Sequence, residues 1–64
     1  MKSYSSREII KILEQDGWTL VHKVGDHCQF KHPIKKGRVT VTHPVKDMPI
    51  NNVKSIMKQA DIKL

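Results

Sequence analysis

Ile9, Ile10, Ile12 and Leu13 recur among charged and polar neighbours at the spacing that forms one apolar stripe on a helix. Ser5 stands three residues before Glu8, the Ser-x-x-Glu pattern of a capping box, so the pattern predicts a first helix from about Ser6 to Asp16. Gly17, which takes a left-handed backbone at little cost, ends it. Trp18 to Val24 is rich in β-branched and aromatic residues, and Gly25-Asp26 makes a turn into a second strand, Cys28 to His32, which Pro33 stops. Lys35-Lys36-Gly37-Arg38 has the composition of an exposed turn, and Val39 to Thr42 alternates as a third strand. After a polar connection beyond Pro44, Ile50, Val53, Ile56, Met57 and Ala60 mark one face of a second helix, with Pro49 near its start and Lys54 and Lys58 on its wet side.

The order α-β-β-β-α with short connections predicts a two-layer α+β domain: a three-stranded antiparallel meander with both helices on one face, since each helix must bury its stripe. Alternation along the strands sends Cys28, Phe30, Val39 and Val41 into the core. His27, Gln29 and Lys31 then point to the open face, together with Arg38, Thr40 and Thr42. Trp18, at the start of a strand just after a helix stop, is expected in the core rather than as a base-stacking platform.

Length and charge narrow the picture. Sixty-four residues are expected to form one domain over 1–64, too small for a separate catalytic unit. Twelve Lys and Arg against six Asp and Glu give a net charge of +6, which points to a polyanionic partner. The single cysteine, Cys28, excludes an internal disulfide and makes a reducing cytoplasm the expected compartment. The start of the chain carries no apolar run after Lys2, and no segment has the roughly 18 apolar residues of a membrane span, so neither secretion nor membrane insertion is expected.

The candidate chemistry gathers at Gly25-Asp26-His27. A turn histidine is as readily a plain solvent-exposed side chain as a functional one. Histidine as a residue type can nevertheless both take and give a proton near neutral pH, which is what cleavage of RNA by its own 2'-hydroxyl requires. Lys23, Lys31, Lys35, Lys36 and Arg38 cluster in the strand and turn region near His27, where they would hold a phosphate backbone. His22, His27, Cys28, His32 and His43 are of types that zinc accepts. Their spacing lacks paired ligands, and alternation sends Cys28 and His27 to opposite faces, so neither a metal site nor a Cys-His nucleophile is expected and Cys28 reads as core. No cofactor is expected. His32 falls by alternation on the face opposite His27, which leaves the second proton-transfer group unassigned.

The chain resembles the HicA toxins over nearly its whole length. The resemblance rests on Gly17-Trp18, the Gly25-Asp26-His27 turn, Gln29-Phe30-Lys31-His32-Pro33, Gly37-Arg38-Val39-Thr40-Val41, His43-Pro44 and the helical run Val53 to Ala60. It implies a fold like a double-stranded-RNA-binding domain and a metal-independent ribonuclease acting on mRNA, with His27 catalytic. Lys23, Gln29, Lys31, Lys35, Lys36 and Arg38 would then contact the RNA. It also implies a HicB antitoxin that covers the histidine, forms a hetero-oligomer with the toxin and represses their operon. The chain departs from the family pattern in four places. Asp26 replaces a usual serine and sets a negative charge against an approaching phosphate. Cys28 replaces a frequent second histidine. Asn51-Asn52 and Asp61 replace small residues and a glycine at helix ends, changes expected to cost stability more than activity. The alternative from another class is an RNA-binding module that does not cut, and a third is a regulatory subunit that acts mainly by binding its antitoxin.

Overall fold

In a computed structural model, which describes residues 3–63, the elements are α1 (Ser6–Asp16), β1 (Thr19–Val24), β2 (His27–Lys31), β3 (Arg38–Thr42) and α2 (Ile50–Ala60). The capping box forms as expected. The Ser5 hydroxyl accepts the Glu8 N–H at 3.2 Å, and the Glu8 carboxylate accepts the Ser5 N–H at 3.1 Å. At the other end Gly17 adopts φ 105°, its N–H reaches the Glu14 carbonyl, and the Trp18 N–H reaches that of Leu13. Trp18 is thereby drawn into the helix terminus, and β1 begins one residue later than the pattern predicts.

The three strands form an antiparallel sheet in the order β1-β2-β3, with both helices packed on the face beneath β3. Ile9 and Leu13 of α1, Val53, Ile56, Met57 and Ala60 of α2, and Trp18, Cys28, Phe30, Val39 and Val41 from the sheet side share one buried core. The α+β architecture and the inward strand residues are therefore as expected. The helices do not reach under β1, all six of whose residues are exposed, including Leu20, Val21 and Val24.

One irregularity interrupts the pairing of β1 with β2. Thr19 pairs with Lys31 and Leu20 with Phe30, but the register then slips, so that His22 pairs with Gln29, Lys23 with Cys28 and Val24 with His27. Val21 is the extra residue of a β-bulge. Residues directly opposite each other share a face. Lys23 therefore stands on the side of buried Cys28, and His22 on the side of Gln29.

α2 is capped less well than α1. Pro49 at its start offers no side-chain cap, and Asp61 ends it at φ 55°, with its N–H and that of Ile62 returning to the carbonyls of Lys58 and Met57. A residue with a Cβ pays roughly 1 kcal/mol for this left-handed position. Asp61→Gly is expected to raise stability by about that amount, a rise in thermal midpoint of roughly 4–8 °C for a domain of this size. Thermal unfolding by circular dichroism checks it, and an unchanged or lower midpoint contradicts the account.

Candidate functional site

His27 opens β2 immediately after the Gly25-Asp26 turn. Gly25 takes φ 55°, the positive value a two-residue hairpin needs at its first turn position. The Asp26 carbonyl accepts the His43 N–H at 2.7 Å, which fastens the turn to the end of β3. His27 is thus held at the mouth of the sheet with its side chain exposed on the face away from the helices.

The pairings arrange that face in three rows: Val24, His27 and Thr42, then His22, Gln29 and Thr40, then Thr19, Lys31 and Arg38. Arg38 donates to the Gln29 side-chain oxygen at 3.0 Å and is steadied by it. Lys31 and Arg38 lie two rows from His27, four residues along β2, or roughly 14 Å at about 3.4 Å per residue. They stand too far along the face to share one small anion with His27. The face is open and shallow. A groove of about 270 Å³, bordered by Asn52, Ser55 and Gln59 of α2, lies beyond the outer edge of β3 and does not include His27.

Two members of the expected basic cluster stand elsewhere. Lys23 is on the opposite face, since the two-residue turn pairs Val24 with His27 and the next residue back, Lys23, with buried Cys28. The Lys35 ammonium donates to the Asp16 carboxylate at 2.6 Å and to the Ala60 and Asp61 carbonyls at 3.0 Å each. Its three protons are all spent within the chain. Lys36 is exposed in the β2–β3 connection.

Two of the remaining histidines, His32 and His43, have structural work. His32 leaves the sheet, so β2 ends one residue earlier than the pattern predicts: its Nδ1 accepts the N–H groups of Ile34 and Lys35 at 3.0 Å, and its Nε2 donates to the Asp16 carbonyl at 2.8 Å. The ring meets Trp18 edge-to-face at 5.3 Å and approaches Gly17 so closely that a Cβ there would sit 2.9 Å from Nε2. His43 pairs with Ser6 at 2.6 Å, a distance suited to a nucleophile and base. Ser6 is only 1% exposed, however, and its oxygen also accepts the Val45 N–H at 2.8 Å, so the pair fastens the β3–α2 connection onto α1. Cys28 is buried on the face opposite His27.

A family model described as the HicA toxin of bacterial toxin-antitoxin matches residues 6–62, from the first residue of α1 to just past α2. The chain belongs to the HicA toxin family. It is accordingly the toxin side of a toxin–antitoxin pairing. No curated protein matches it. Among the described residues of this HicA toxin, no helix is long and apolar enough to cross a membrane.

The Asp16 carboxyl is held below the usual carboxylate range, first by the hydrogen bond from Lys35 and further by the Lys35 charge and the Trp18 N–H, against some desolvation. A depressed folded-state pKa stabilises the fold above the unfolded value near 3.8 and loses that contribution as pH falls through the folded value. Asp16→Asn is therefore expected to lower the urea midpoint at pH 7, with the deficit against the natural chain narrowing below about pH 4. A deficit independent of pH across that window contradicts the assignment.

Proposed function

We propose that this HicA toxin is a metal-independent endoribonuclease that cleaves mRNA, with His27 moving a proton at the reacting linkage. The observation that carries the reading is an exposed imidazole held at a turn on an open sheet face, with Lys31 and Arg38 further along that face. The cations bind the RNA backbone one or more phosphates away, Gln29 steadies Arg38, and Lys36 extends the contact from the loop. Lys23 and Lys35 are left out of the contact set, the first by its face and the second by its three internal acceptors. A HicB-type antitoxin in the cytoplasm would silence the enzyme by covering the His27 face, meeting the +6 domain with an acidic or closely fitted surface.

Asp26 favours a second reading. It directly precedes His27 in the chain, and its negative charge opposes an incoming phosphate, which suits a module that holds RNA without cutting it. Incubation of a long single-stranded RNA with purified protein in EDTA separates the two. The ribonuclease reading expects cutting that falls roughly 100-fold or more in His27→Ala. RNA binding without product from the folded natural chain supports the module, and equal cutting by His27→Ala removes His27 from the chemistry.

A further inference from the structure

We propose that His22 is the second proton-transfer group of this site, working with His27 across one phosphodiester, an inference that rests on the ribonuclease reading above. The chain has four histidines. The rings of His32 and His43 are bonded into the fold. Those of His22 and His27 have no hydrogen-bond partner among the described residues, and both are exposed. These two unbonded imidazoles lie on the same face of adjacent strands.

The two-residue Gly25-Asp26 turn is what brings them together. The turn sets Val24 opposite His27, and regular antiparallel pairing outward from it sets His22 opposite Gln29; the bulge at Val21 falls beyond that row and leaves it undisturbed. The two histidines are therefore diagonal neighbours. Diagonal positions on one face stand about 7–8 Å apart. That separation leaves room for a phosphate between the rings, whereas directly opposed side chains at about 5 Å would touch each other instead.

Cleavage by transesterification needs two proton transfers at opposite ends of the phosphorus. The 2'-oxygen forms a bond to phosphorus and gives its proton to one imidazole. The bond from phosphorus to the 5'-oxygen breaks, and that oxygen takes a proton from the other imidazole, held as imidazolium. The products are a 2',3'-cyclic phosphate and a 5'-hydroxyl, and hydrolysis of the cyclic ester returns both rings to their starting protonation. His22 and His27 supply both transfers without a metal ion, and Thr42 and Gln29, each opposite one of the two, border the same phosphate position.

The test uses the full chain and a short RNA spanning a mapped cut site, made with either the natural 5'-oxygen or sulfur at the bridging position of that linkage. A thiolate leaves without being protonated, so sulfur substitution removes the need for the acid. His22→Gln and His27→Gln are each expected to lose roughly 100-fold or more on the oxygen substrate. On the sulfur substrate one variant, the one lacking the acid, is expected to return to near the natural rate while the other stays slow. His22→Gln cutting the oxygen substrate at the natural rate, with His27→Gln inactive, overturns the role of His22 and leaves the ribonuclease reading standing. A loss in His22→Gln with rescue of neither variant also overturns the pairing, since a merely supporting residue gives that result. No cutting by the natural chain overturns both.

Discussion

The ammonium of Lys35 is the point on which the arrangement of layers turns. It reaches from the β2–β3 connection to the carboxylate at the end of α1 and to the two carbonyls at the end of α2. His32, three residues earlier, binds the Asp16 carbonyl and folds its own connection back by accepting two N–H groups. Asp16 also accepts the Trp18 indole N–H, so one carboxylate orients the helix end, the first strand and the loop together. A glycine at position 17 is required twice over, once for its positive φ and once for the space that the His32 ring occupies. In so small a core, these polar bonds define where the helix ends sit relative to the sheet.

Most of this fold is legible in the residues. The two helical stripes, the capping box, Gly17 and the alternation in β2 and β3 each dictate an element for a local reason, and the elements fall within a residue or so of the expected bounds. The less legible part depends on contacts between distant segments. Nothing near Lys35 indicates that its charge is bound by residues 19 and 25 positions away. The bulge in β1 is hidden for a related reason: which strand residue is left unpaired is decided by the partner strand. The one local trace is the adjacency of Leu20 and Val21, which breaks the alternation that Val24 would otherwise continue.

The candidate site was legible at His27 and only partly around it. A glycine turn followed by an alternating strand locates His27, Gln29 and Lys31 on one face, and the pairing with β3 adds Arg38. Lys23 belongs by sequence distance to the same neighbourhood, yet the register carries it to the other face and brings His22 in its place. The face is consequently less basic near the imidazole, and its positive end lies along the sheet at Lys31 and Arg38.

The single unpaired residue at Val21 also sets how this surface responds to a change in chain length. The loss of that one codon would restore regular pairing along β1 with Leu20 still opposite Phe30 and with His22, Lys23 and Val24 still opposite Gln29, Cys28 and His27, each on its present side of the sheet. β1 carries no buried side chain, so such a length change meets little resistance from packing. Chains built on this frame can thus gain or lose a residue in the first strand while the histidines of the open face keep their places.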